Sequence, residues 1–397
     1  MGMSTVKATK FQNASSATVN MEADTSGNVA FGNNITVAGD ATVTGDMTLT
    51  GGLITSSSYL RNRIINGDMR IFQRNTAAST HAKYSVDRWA LGIDTTGSVS
   101  LTQSQIAPAG FTDSLILDVV TADTSLATTE YVQVYQIIEG NNISDLGWGA
   151  AGAKSITISF WVYSSVTGIF CVGIRSSNVD LSYVAEYTVN AIDTWEYKTV
   201  TIPGPTTGTW NADHTIGAYL TFVIANGTTY QTTPNAWNAG NFHGTTNQVN
   251  ILASATNNFR ITGVQFEEGT VATPFERQLY SAQLAQCQRY YFRFTTSSGN
   301  WLGNTGYAQT TTSARAHVTF PVEMRIAPTA IDTTGTAANY RIMPPNVACS
   351  AVPTLNLANT HDGWLTTTVA AGLTANAAVV LSAAASTVAY IGWSAEL

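Results

Sequence analysis

The chain has 397 residues, of which 44% are hydrophobic, 10% aromatic and only 11% charged, against roughly 25% charged in ordinary soluble domains. That apolar share excludes a disordered chain. The missing charge is replaced by Thr, Ser, Asn, Gly and Ala, which points to an extracellular β protein or a fibre rather than a cytosolic enzyme. A net charge of −7 without any basic run argues against nucleic acid as a partner.

The first residues, MGMSTVKATKFQNASS, lack the apolar centre of a signal peptide, and no apolar run is long enough to span a membrane. The expectation is synthesis in a cytoplasm, no secretion by the usual route and no membrane insertion. Residues 1–26 are polar and unpatterned, suited to a docking segment or a flexible tail.

Residues 27–56 read GNVAFG, NNITVA, GDATVT, GDMTLT, GGLITS. Apolar residues recur six apart in two series: Val29, Ile35, Ala41, Met47 and Leu53, and Phe31, Val37, Val43 and Leu49. Residues two apart point to one face of a short strand, and the Gly-Asp and Gly-Asn pairs turn the chain between strands. The pattern predicts a shaft over 27–60, a short solenoid closed by winding three chains into a homotrimer. A hairpin or meander of one chain is the alternative.

From residue 61 to 277 short strands follow one another with turn residues between them. KSITISFWVYSS is the clearest, with Ile156, Ile158, Phe160 and Val162 on one face and Thr157, Ser159, Trp161 and Tyr163 on the other. GIFCVGIRS, TWEYKTVTIP, IGAYLTFVIANG and NFRITGVQFEEG read likewise, and together they predict a large β-sandwich or jelly roll. SAQLAQCQRYY predicts a short linking helix over 278–291, packed on a three-fold axis or within one subunit. Residues 292–397 return to strands and suit a small β-sandwich at the tip.

NRIINGDMRIFQR (62–74) with YSVDRWAL (84–91), and FRITGVQFEEGTVATPFERQLYSAQLAQCQRYY (259–291), resemble the opening and close of a module found in many phage tail-fibre proteins. PVEMRIAPT (321–329) and the closing AEL (395–397) resemble the tips of the same fibres. NGDM and ITGVQFEEG also resemble the first and last strands of jelly-roll carbohydrate-binding modules. The resemblance implies a virion tail fibre assembled in the host cytoplasm. Residues before the module would hold other tail or adaptor proteins, and host polysaccharide or lipopolysaccharide would be the ligand. It also implies a possible calcium clip at Asp68, but Thr262 or Gly263 stands where the closing strand would supply an acid, so no metal or other cofactor is expected.

Chemistry finds little support. Glu267 and Glu268 are adjacent on a strand and point to opposite faces as solvated charges, unlike a hydrolytic carboxylate pair. His81, His214, His243, His317 and His361 show no ligand spacing, no GxSxG elbow occurs, and Cys171, Cys287 and Cys349 are read as buried free thiols. The expectation is a binding protein, not an enzyme. A purely structural virion component and a polysaccharide depolymerase are the alternatives. Sugars stack on aromatic faces and bond to neutral polar groups. The candidates are Trp161, Tyr163, Trp210, Trp237, Phe242 and His243 in the central module and Tyr307, Trp364 and Trp393 in the tip, with Trp195 read as core.

Overall fold

The computed structural model describes residues 10–11, 21–23, 29–31, 61–295, 301–384 and 388–397. The chain divides into two units, Met1–Thr55 and Ser56–Leu397. In the first, Lys10–Phe11, Met21–Ala23 and Val29–Phe31 pair antiparallel in that order. Val29 and Phe31 therefore lie on a strand of an in-chain meander, and the stretch before Gly27 supplies the other two strands. Antiparallel neighbours of this kind are joined by short connections, whereas stacked solenoid coils pair in parallel. The remaining shaft positions, Ile35, Val37, Ala41, Val43, Met47, Leu49 and Leu53, fall outside the described residues.

The second unit is all-β, with two sandwich-like sets of sheets and one α-helix among the described residues. In the first set a seven-stranded antiparallel sheet runs in the order Trp237–Ala239, Leu181–Val189, Gly168–Ser176, Ile216–Asn226, Tyr131–Glu139, Ala90–Asp94, Lys83–Tyr84. A five-stranded sheet faces it, in the order Glu196–Ile202, Ile156–Ser164, Asn258–Glu268, Ser114–Thr121, Ser98–Ser104. Alternation decides the faces: Ile156, Ile158, Phe160 and Val162 meet Phe170, Val172, Ile174, Leu220 and Phe222 in one core, each of them fully buried. Burying each such side chain stabilises the fold by roughly 1.5–3 kcal/mol.

The module's entry and exit are laced together. Asn62 donates from its backbone N to Glu276 Oε2 at 2.7 Å and from Nδ2 to Val264 O at 3.0 Å, and Arg63 N donates to Phe266 O at 2.9 Å. Gly67 in the NGD turn sits against the Val264 carbonyl with no room for a Cβ. Asp68 is buried, paired with Arg70 Nε at 2.5 Å and bonded by Gln283 Nε2 at 2.9 Å, so its carboxylate is held by protein groups. Glu268 is exposed, as expected. Glu267 is buried beneath residues 270–276, where Thr273 donates to it from both N and Oγ1, because the chain folds back over that face.

The helix runs Tyr280–Gln288, shorter than the expected 278–291, and buries Gln283 and Cys287 within its own subunit; Tyr291 begins the next strand. The second set has a seven-stranded sheet, Val347–Ala348, Tyr340–Met343, Ala378–Ala383, Trp301–Ala308, Ser313–Thr319, Asp362–Thr368, Thr354–Ala358. A three-stranded sheet, Tyr291–Thr295, Tyr390–Ser394, Ala330–Thr333, packs against it. Its core is centred on Trp393, Tyr340 and Leu365, so Trp393 is a packing residue. All three cysteines are buried and unpaired, and none of the described helices is long and apolar enough to cross a membrane.

The last residues join the two sets. Glu396 pairs with Arg88 and, at 3.2 Å, with Arg74. The Arg88 guanidinium lies 3.6 Å from the Tyr290 ring centre and Arg74 lies 3.6 Å from that of Tyr291. Arg325 bonds the carbonyls of Ala395 and Glu396 at 2.8 and 2.6 Å. The motifs that carry the tail-fibre resemblance thus converge on a joint.

Candidate ligand-binding cleft

The outer face of the central seven-stranded sheet follows from the same alternation. With Val132, Val134, Val172, Ile174, Leu220 and Phe222 turned into the core, the strands turn Tyr131, Gln133, Tyr135, Cys171, Arg175, Tyr219, Thr221 and Val223 outward. At one end Phe242 covers Cys171, Val184 and Val223. At the other, Tyr84, Ile216, Tyr219 and Leu397 pack on Ala90, Tyr135 and Ile137. Between these covers a cleft of ≈ 180 Å³ remains, lined by His81, Tyr131, Gln133, Tyr135, Arg175, Val179, Tyr219, Tyr230, Asn241 and His243.

Its polar groups are fixed. Arg175, 5% exposed, donates from Nη1 to Asn241 Oδ1 at 2.9 Å and to His243 Nε2 at 3.0 Å, and from Nη2 to Thr221 Oγ1 at 3.2 Å. Gln133 Oε1 lies at 3.5 Å from Nη2, and its side chain crosses Gly92 so closely that a Cβ there would meet its Cγ at 2.7 Å. His243 stacks on Tyr230 with ring centres 4.5 Å apart, and Tyr131 stands edge-on to both at 4.9 and 5.0 Å. Tyr131, Tyr219 and Tyr230 keep part of their surface open.

Burial and the absence of a carboxylate partner set the electrostatics. Among the described residues no Asp or Glu lies within 4.0 Å of Arg175. Burial lowers its pKa to about 10. Burial, and then the Arg175 charge, hold His243 well below the ordinary imidazole range, so it is neutral. Since a guanidinium only donates, Nε2 of His243 accepts, which places the ring proton on Nδ1.

The candidates named from sequence fall in four places. Phe242 and His243 belong to this cleft or its cover. Trp237, which read as a loop residue, opens a short edge strand. It is half-buried against Tyr183, Trp148 and Trp210, with Nε1 bonded to Pro203 O at 2.8 Å. Trp161 and Tyr163 lie on the outer face of the opposite sheet, in ring pairs with Tyr197 at 5.4 Å and Trp195 at 5.5 Å. Trp195 is therefore a half-exposed surface partner and not a core residue: it shares parity with Tyr197 and Thr199, while Val200 and Ile202 face inward. Tyr307 and Trp364 come within 6.4 Å of each other in the second set of sheets and line a groove of ≈ 210 Å³ with Arg315, Asn356 and Leu357.

Sequence reading missed Tyr131, Gln133, Arg175, Tyr230 and Asn241. The signal was present in part: YVQVYQIIE alternates rings and an amide against valines, and Arg175 is the one charged residue in GIFCVGIRS.

No family model and no curated protein matches the chain. Among solved structures it is similar to the enzymatically active domain of bacteriophage CBA120 tailspike protein 4, at 12% identity and a TM-score of 0.28. That match covers 54% of this chain and 24% of the tailspike chain. A putative sugar-binding protein from Bacteroides thetaiotaomicron is similar at 10% identity and a TM-score of 0.32, over 53% of this chain and 100% of its own. The family 11 carbohydrate-binding module of a Clostridium thermocellum cellulase is similar at 15% identity and a TM-score of 0.26, over 49% of this chain and 96% of its own.

Proposed function

We infer that this chain is a glycan-binding attachment fibre of a phage virion and that the central cleft holds the sugar. The observation that carries the reading is the cleft itself: a buried guanidinium, a neutral imidazole and two amides locked in place beneath partly open tyrosine rings. Sugar rings stack on such faces and exchange hydrogen bonds with such groups, and pre-fixed partners lose little freedom on binding. Glycoside hydrolysis needs two carboxylates flanking the bond. The groups here are donors and rings, a set for recognition. Assembly as a homotrimer on the tail would tie three weak sites into one strong attachment.

The test is titration calorimetry of the full chain against host surface glycan, together with adsorption competition by the purified protein. Tyr131→Ala or Tyr230→Ala is expected to weaken binding at least about tenfold, a loss of about 1.4 kcal/mol. Trp161→Ala on the opposite sheet should leave it unchanged. Loss with Trp161→Ala and none with either tyrosine would move the site to the other face.

A further inference from the structure

We propose that the cleft takes a saccharide carrying an oxyanion, a carboxylate or a phosphate, with the negative charge seated at Arg175. This rests on the reading of the cleft as a glycan site and names the class of sugar it would select.

The guanidinium is buried, yet every side-chain acceptor around it is neutral: Asn241, His243, Thr221 and Gln133. A charge removed from water without a counter-charge is costly, and proteins rarely leave one in that state where nothing will meet it. Two donors of these residues also lack a partner within the protein: Nε of Arg175 and Nδ1 of His243, both buried. The imidazole cannot serve as a second cation, because burial, and then the Arg175 charge, keep it neutral, but its proton makes it one more donor.

Around the guanidinium stand the rings of Tyr131, Tyr219 and Tyr230, with Tyr219 5.0 Å from the Arg175 charge. Low-polarity walls leave the field of a fixed charge little screened. Asp94, exposed at the Tyr131 end, acts on Tyr131, and Glu396 acts on Tyr135 of the same lining. A neutral sugar would leave the guanidinium as it is; an oxyanion supplies what it lacks. A carboxylate and a phosphate monoester share that chemistry, and the experiment separates them.

The experiment uses the full chain and a panel of trisaccharides of glucose, galactose and N-acetylglucosamine, each prepared neutral, as the uronate where the sugar allows, and with one phosphate monoester. A charged member should bind about tenfold more tightly than its neutral counterpart, and whichever charged arm does so names the group. That preference should shrink as salt rises through the range where the screening length falls below about 10 Å. Arg175→Met should bring charged and neutral members to the same affinity. Neutral members binding as well as charged ones would overturn the inference and leave the glycan reading intact. Failure of every member to bind would overturn both. The comparison within the unaltered protein decides the matter even where the variant folds poorly.

Discussion

Arg88 and Arg175 are both almost fully buried, at 1% and 5% exposure, and their surroundings are opposite. Arg88 sits in the joint between the two sheet sets, paired with Glu396, bonded to Ile137 O at 2.6 Å and lying on the Tyr290 ring. Burial works against its charge, but Glu396 and its other neighbours outweigh that, and its pKa rises. At Arg175 burial prevails and the pKa falls. At Arg88 a carboxylate within the fold offsets the burial, and at Arg175 none does among the described residues. The same residue type is thus paired within the fold in one region and left without a counter-charge in the other.

The largest effect that bears on this contrast is at the joint. Glu396→Ala removes the carboxylate from Arg88 and leaves the guanidinium buried, which should cost about 3–5 kcal/mol of stability. Urea denaturation monitored by tryptophan fluorescence reads it directly, and a loss below about 1 kcal/mol would mean that the joint does not depend on the pair. Arg175→Met should behave differently. With no carboxylate left behind, stability should stay within about 1 kcal/mol of the parent or rise. A loss as large as that of Glu396→Ala would break the contrast.

The smallest effect sharpens it. His243 is neutral in the fold and titrates near pH 6.5 once unfolded. Its folded pKa is the lower of the two, so the unfolded chain gains protons first and stability is lost as pH falls below about 6.5, by up to about 1.4 kcal/mol per pH unit. Asp87 acts with the other sign. Burial raises its pKa to about 7, so its ionisation weakens the fold as pH rises from about 4 toward 7. The difference between parent and His243→Gln isolates the imidazole: between about pH 5 and 6.5, the parent should lose stability faster. Parallel curves would show that the fold does not lower the His243 pKa.

The strands themselves were legible because apolar residues two apart leave one solution for a half-buried strand. KSITISFWVYSS, GIFCVGIRS and NFRITGVQFEEG are all strands, and Trp161 and Tyr163 do turn away from the core. Trp195 was misread because its size suggested a core position, although counting back by twos from Val200 and Ile202 puts it outside. The cleft was only half legible. Parity aims Arg175 outward, but Asn241, which helps bury it, is 66 residues away. Which loop folds over a sheet face is a tertiary matter that no local period records. The family-like motifs posed the opposite problem: they were conspicuous in sequence, and their residues turn out to fasten the joint.

The lacing of Asn62 and Arg63 to Glu276 and Phe266 brings the points where the chain enters and leaves the central sandwich side by side. The module's two ends are thereby closed on each other, while Arg88 with Glu396 and Leu397 against Tyr135 tie its interior strands to the second set of sheets. Tension along the chain meets those few bonds before it reaches the sheets.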